Sequence, residues 1–188
     1  AQVRRRQLWF YYSAESPAYR HNRWDASVNS FNGSITYLND STPIKLPYGS
    51  LVRRDQSVNQ SFPENYANNR KKGAYVYVSN CGSQNYNRLS VMKRLSKYIN
   101  VDSFGSCTNK LPCPRKGDIT CEKEAHSQYR FYLSFENSLC KEYITEKFWK
   151  VLESDAYFIP VALGGLSVAE YDAVAPPNSF IHLYNFSS

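Results

Sequence analysis

The sequence is poor in the patterns that build several common kinds of site. Its 188 residues include three histidines, one methionine and five cysteines. No two cysteines have the CxxC spacing, and no helical stretch carries two histidines one turn apart, so no metal centre is expected. Neither a GxGxxG nor a P-loop pattern occurs, which disfavours an ordinary dinucleotide or ATP site. No run reaches the roughly 18–20 apolar residues of a membrane helix, and no signal-peptide pattern is present. The chain opens at Ala1 without a methionine and stops at Asn185-Phe186-Ser187-Ser188. The expectation is a fragment of a longer protein, with any membrane anchor outside it.

What is present is basic and aromatic, with a formal charge of +7 and sixteen tyrosines. Such a balance invites a polyanionic partner: nucleic acid, a membrane surface or a phosphorylated small substrate. The basic residues, however, fall in short separated clusters, Arg4-Arg5-Arg6, Arg53-Arg54 and Arg70-Lys71-Lys72, as a solvated surface would have them. A nucleic-acid-binding domain would need a continuous basic stripe, and no RNP or zinc-finger pattern accompanies the charge. Cys81, Cys107, Cys113, Cys121 and Cys140 leave at least one thiol free or paired outside this stretch, and their pairing is open. Sequons at Asn32, Asn39, Asn59 and Asn185, beside a cysteine-rich loop, point to the secretory pathway as glycosylation candidates.

Along the chain, Gln7 to Ser13 reads as a buried aromatic strand that ends before Pro17, with Glu15 at its C-terminal edge. A second short strand is expected at Ser34 to Leu38, after which Pro43, Pro47 and Gly49 break the pattern. Residues 56–72 are polar and Asn-rich, and form the expected linker between residues 1–55 and 73–188. Beyond it the expected order is a strand at Ala74 to Ser79, a helix at Asn87 to Ile99 and a strand at Asn100 to Phe104. A loop from Ser106 to Ala125, a strand at Phe131 to Phe135, a helix at Tyr143 to Asp155 and a strand at Phe158 to Leu163 follow. That alternation predicts an α/β fold with a parallel sheet and right-handed crossovers, whose ligand lies beyond the C-terminal strand ends.

Chemistry-bearing residues gather at those ends. Glu136-Asn137-Ser138 closes one strand, and Thr145-Glu146-Lys147 opens the next helix. A helix start offers free N–H groups and partial positive charge, which seat a phosphate, and Lys147 is placed where a cation disfavours the helix unless an anion lies beside it. Arg88 begins another helix after Asn80, and guanidinium geometry suits a diphosphate. Glu15 is a candidate general base. By residue type alone each of these also reads as an ordinary cap, turn residue or surface charge. His21, His126 and His182 are assigned no role.

The spelled residues go further. The stretch YRFYLSFENSLCKEYITEKFWKVL, followed by FIPVALGG and by PPNSFIHL at Pro176 to Leu183, closely resembles the α1,3-fucosyltransferases, endomembrane enzymes that use GDP-fucose. The resemblance continues upstream in VSN (Val78 to Asn80) with Arg88 behind it, VDSFG (Val101 to Gly105), PYG (Pro47 to Gly49) and ESP (Glu15 to Pro17), and so covers nearly the whole chain. It implies a GT-B architecture: residues 73–188 would be a Rossmann-like donor domain truncated at its C-terminus, and residues 1–55 only the end of the N-terminal Rossmann-like acceptor domain. It implies an inverting transfer of L-fucose from GDP-fucose to the 3-OH of N-acetylglucosamine in glycoprotein glycans, with no cofactor and no catalytic metal. Arg88 and Lys147 would engage the donor's diphosphate. Asn80, Asn137, Tyr143 and Glu146 would complete the donor site, and Glu15 would deprotonate the acceptor hydroxyl. A Golgi membrane enzyme with a lumenal catalytic domain is implied, its anchor outside this stretch. Where the family often reads YRRDSD, this chain has Tyr37-Leu38-Asn39-Asp40-Ser41-Thr42, which removes two basic residues. That departure, with the truncation, keeps a catalytically silent nucleotide-sugar- or glycan-binding relative as the alternative.

Overall fold

The computed structural model, which describes residues 7–19, 31–40, 43–52, 65–82, 86–113, 118–153 and 158–186, contains two parallel β-sheets. The first aromatic run yields β1 (Phe10–Ser13), and the second expected strand is β2 (Gly33–Thr36); they pair in parallel with Phe10 opposite Gly33. A third strand, β3 (Pro43–Lys45), stands where proline is expected to break the pattern. Pro43 can open it because β3 is the edge of the order β1-β2-β3, where a missing N–H forfeits no ladder hydrogen bond.

The expected linker lies largely outside the described residues. Its end holds one short helix, α1 (Tyr66–Asn69), and Lys72 already belongs to β4 (Lys72–Tyr77). β4 is joined by β5 (Val101–Phe104), β6 (Tyr129–Phe135), β7 (Ile159–Leu163) and β8 (Ile181–His182), all parallel, in the order β5-β4-β6-β7-β8. The chain leaves β4 for one side of the sheet and returns past it to the other. Between β4 and β6 the order therefore reverses, and a crevice opens beyond their C-terminal ends. The sheet is the α/β Rossmann-like arrangement that the alternation predicts.

The connecting helices are α2 (Arg88–Leu95), α3 (Ile119–Ser127), α4 (Glu146–Glu153) and α5 (Val168–Asp172). α3 corrects the expected loop: its polar sequence shows little helical periodicity, but Asp118 caps it by accepting from the Cys121 N–H at 3.0 Å. α5 and β8 are additions, and α5 carries a capping box of Ser167 and Glu170 that is visible in the spelling. α4 starts three residues later than the expected Tyr143, because Glu142 takes a left-handed φ of 57° and the chain turns before the helix can begin.

Strand alternation sorts the core. Ala74, Val76, Val78, Leu133, Phe135, Val161 and Leu163 pack on Met92 of α2. Tyr75 and Tyr132 face the other way, against Val151 of α4, and Tyr129 at the very start of β6 joins them although it shares its parity with Leu133 and Phe135. Phe148 and Trp149 of α4 join Ala162, Leu166 and Tyr171 in a third cluster, with Tyr48 from the first sheet's side against it. Gly49 is required there: a Cβ would stand 2.4 Å from the Trp149 indole. At the end of β5, Gly105 has φ +102°, and a side chain would meet the Val78 carbonyl oxygen at 2.6 Å.

Disulfides join Cys81 to Cys107 and Cys113 to Cys121, and Cys140 takes part in neither. The Cys81–Cys107 bond spans 26 positions and clips the turn after β4 to the turn after β5. Replacing both cysteines by serine should lower the unfolding free energy by roughly 3 kcal/mol, as expected for releasing a loop of that size, measured by denaturant titration. An unchanged midpoint would mean the clip is not formed in solution.

Candidate active site at the strand-order reversal

The crevice between β4 and β6 holds a cavity of about 540 Å³. Asn80, Arg88, Asn137, Glu146 and Lys147 all line it. Five residues from four separate stretches thus converge on the position that topology singles out. Four cations, Arg88, Lys123, Lys147 and Lys150, face two carboxylates, Glu122 and Glu146. That imbalance favours an anionic ligand.

The anchor of the site is a residue that the sequence marks only as a strand end. Glu136 is fully buried. Its Oε1 accepts the Thr145 N–H and its Oε2 accepts the Thr145 hydroxyl, both at 2.7 Å. One carboxylate therefore satisfies a free donor just ahead of α4 and fixes that helix start against β6. Lys147 Nζ lies 3.8 Å from Glu136 Oε2, 2.9 Å from Thr145 Oγ1 and 3.0 Å from Glu146 Oε1. Its side chain is 20% exposed, so the ammonium is held by two carboxylates yet still reaches the cavity. Burial pushes the Glu136 carboxyl up to about 7, against the pull of Lys147 and of the Thr145 hydrogen bonds. For Glu146, burial opposes the charge, but Lys147 beside it outweighs that and its carboxyl is lowered.

Arg88 is buried at the start of α2. Its guanidinium donates to the Asn80 carbonyl at 2.7 Å and to the Phe135 carbonyl at 3.2 Å, while its buried Nε makes no hydrogen bond among the described residues. It ties the ends of β4 and β6 together as well as charging the wall between them. The far end of the cavity is aromatic: Tyr75, Tyr77, Tyr132 and Phe158, with His126 stacked on Tyr75 at 4.4 Å. Burial lowers the His126 pKa, which keeps the ring neutral near pH 7, and its buried Nε2 makes no hydrogen bond among the described residues. Glu122, Lys123 and His126 come from α3, whose polar sequence resembles a loop; the i, i+4 spacing of Glu122 and His126 is the helical signal it carries.

Glu15 and Tyr143 do not line this cavity, but they meet beside it. The Tyr143 hydroxyl donates to Glu15 Oε2 at 3.3 Å, Tyr143 being buried and Glu15 exposed. The segment around Glu15 is docked on the turn after β6, where Tyr19 donates to the Asn137 carbonyl at 3.2 Å and Ser138 donates to Ser16 at 2.5 Å, and Tyr48, after β3, donates to the Ala14 carbonyl at 2.5 Å. Glu15 is thereby carried to the rim from the opposite sheet. Of the sequons, Asn32, Asn39 and Asn185 are exposed, and Asn59 lies outside the described residues. Asn39 is engaged, its side chain accepting from Lys45 and its N–H donating to Glu142 at 2.5 Å. Among the described residues no group of three or more His, Cys, Asp or Glu is arranged to hold a metal ion.

Residues 67–188 match the model of glycosyltransferase family 10 (fucosyltransferase), C-terminal part. The chain is 38% identical to glycoprotein 3-alpha-L-fucosyltransferase A of Drosophila melanogaster, over 97% of this chain and 35% of that protein. It is 36% identical to alpha-(1,3)-fucosyltransferase 7 of Bos taurus, over 98% of this chain and 49% of that protein. It therefore spans less than half the length of these relatives. A crystal structure of an alpha1,3-fucosyltransferase with GDP-fucose superposes with a TM-score of 0.63 at 20% identity, over 98% of this chain and 60% of that one, and shares its fold.

The burial of Glu136 has a consequence for stability. Its folded pKa of about 7 is above the ordinary 4.5, so its contribution is complete below that ordinary value and is lost as pH rises through the folded one. Between pH 5 and 8 the melting temperature should fall relative to that of Glu136→Gln. A difference that does not change with pH would contradict the assignment.

Proposed function

The chain belongs to glycosyltransferase family 10, the fucosyltransferases, and from that premise we propose that it carries the GDP-fucose site of an α1,3-fucosyltransferase acting on N-acetylglucosamine of glycoprotein glycans. The observation that carries the reading is the convergence of Asn80, Arg88, Asn137, Glu146 and Lys147 on one cationic cavity at the strand-order reversal. The diphosphate sits at the start of α4, where Lys147 and the positive end of the helix dipole oppose its charge, with Arg88 beneath. The nucleobase lies towards Tyr75, Tyr77 and His126, whose faces suit a flat heteroaromatic ring. Glu146 and Asn137 accept from and donate to sugar hydroxyls between the two ends.

Fucose transfers with inversion in a single displacement. The acceptor hydroxyl loses its proton to Glu15 while its oxygen attacks the anomeric carbon, and GDP departs with its growing charge on Lys147 and Arg88. Tyr143, hydrogen-bonded to Glu15, orients that carboxylate. These residues serve the chemistry through positioning and charge, with no cofactor in the scheme. The site faces the Golgi lumen, in keeping with the exposed sequons and the two disulfides, and the anchor lies outside this sequence. Among the described residues no helix is long and apolar enough to cross a membrane.

Full-length protein supplied with GDP-fucose and an N-acetylglucosamine-bearing glycan tests the proposal. Glu15→Gln should lower kcat by about 10²–10⁴ while leaving GDP affinity intact, as loss of a general base does. Lys147→Ala should weaken GDP binding by roughly 10–100-fold, the cost of losing a charged hydrogen-bond partner. Equal turnover by Glu15→Gln removes it as the base, and wild-type protein that binds GDP without transferring fucose is the silent relative.

A further inference from the structure

The buried carboxylate behind the site has no part in the transfer itself, yet it is pinned on every side. The Glu136 N–H donates to the Leu163 carbonyl at 2.9 Å, its carbonyl accepts from Tyr86, and both carboxylate oxygens accept from Thr145 at 2.7 Å. It cannot swing away when its surroundings change. The adjustable property left to it is its charge.

We propose that Glu136 is a positioning residue that couples donor binding to proton uptake: ionised, it holds the Lys147 ammonium and the start of α4, and when a nucleoside diphosphate seats on Lys147 it takes a proton from solvent and releases that ammonium's charge to the ligand. The proposal rests on the donor reading above.

The geometry makes the exchange necessary. One ammonium already serves two carboxylates, Glu136 at 3.8 Å and Glu146 at 3.0 Å. A diphosphate adds at least two negative charges to the same ammonium, with Glu136 fully buried behind it. Like charges at such a site drive one group to its neutral form. Around Glu136, Glu146 and Lys147 come from α4, Tyr132 from β6, Tyr86 and Arg88 from α2 and the turn before it, Tyr143 from the turn before α4, Tyr48 from the first sheet's side and Tyr171 from α5. The phenols are all raised by burial, so they stay neutral and supply no compensating charge. Arg88 is already engaged by the Phe135 and Asn80 carbonyls. Protonated Glu136 keeps an acceptor for the Thr145 N–H, so the helix start survives the change. The carboxyl is poised for it, since burial already lifts it towards neutrality.

Isothermal titration of full-length protein with GDP, at pH 7.5 in buffers of different ionisation enthalpy, reads the protons directly. An upward shift of about one unit on binding, ordinary for a like charge nearby, gives uptake of about half a proton per GDP. GDP affinity should then weaken about threefold per pH unit above neutrality, the slope that such an uptake dictates. Glu136→Gln, which keeps the Thr145 acceptor, should lose both the uptake and the slope, and Glu136→Asp should restore them in part. A purely structural role would leave proton number and slope unchanged. Wild-type binding without uptake, or equal uptake in a folded Glu136→Gln, overturns the proposal alone. No GDP binding overturns the donor reading and this proposal with it.

Discussion

Two hydrogen bonds from Thr145 to the buried carboxylate of Glu136 hold this site in shape. They join the end of the central strand β6 to the start of α4, and Lys147 is suspended between that carboxylate and Glu146. A buried ionisable group with incomplete compensation is costly to keep. Here it occupies the place where the helix start, the cation and the strand end must be registered to one another. The adjoining Ser134 hydroxyl donates to the Lys147 carbonyl at 3.0 Å and adds a second strand-to-helix tie. The Lys147 side of the cavity wall is therefore held by β6 and α4 together.

The same turn receives the other sheet. Ser16, Tyr19, Tyr37 and Tyr48 pack on or bond to the Asn137–Tyr143 stretch, with Tyr37 and Tyr48 at 5.0 and 6.0 Å from the Tyr143 ring. Aromatic contacts of this kind give a junction that is apolar in its body and polar at its rim. Glu15 stands at that rim, next to Tyr143. Part of the tyrosine excess that composition offered as a hint of polyanion binding is instead structural: Tyr37, Tyr129, Tyr143 and Tyr171 are buried and do not line the cavity.

Much of this was legible in the chain. The strands expected at Ala74–Ser79 and Phe131–Phe135 were legible because both faces are buried and the apolar runs are continuous. Lys147, a cation at a helix start, marked a position that lies in the cavity wall. What escaped had physical causes. α3 is a polar helix held by a cap and a disulfide, so periodicity says little about it. β3 opens with a proline that only an edge strand tolerates. Glu136 looked like one more polar residue after a strand, because its importance depends on Thr145, nine positions on, folding back over it. Arg88 was read as a diphosphate ligand from its geometry, and two of its donors turn out to bridge main-chain carbonyls.

A crystal structure of the full-length protein with GDP addresses the central claim most directly, that the cavity at the strand-order reversal is a donor site organised by α4. The account predicts the diphosphate at the N-terminus of α4 within hydrogen-bonding distance of Lys147 Nζ, and the base between Tyr77 and His126. A nucleotide bound elsewhere, or one bound with Lys147 still paired to both Glu136 and Glu146 and out of reach of phosphate, would contradict it.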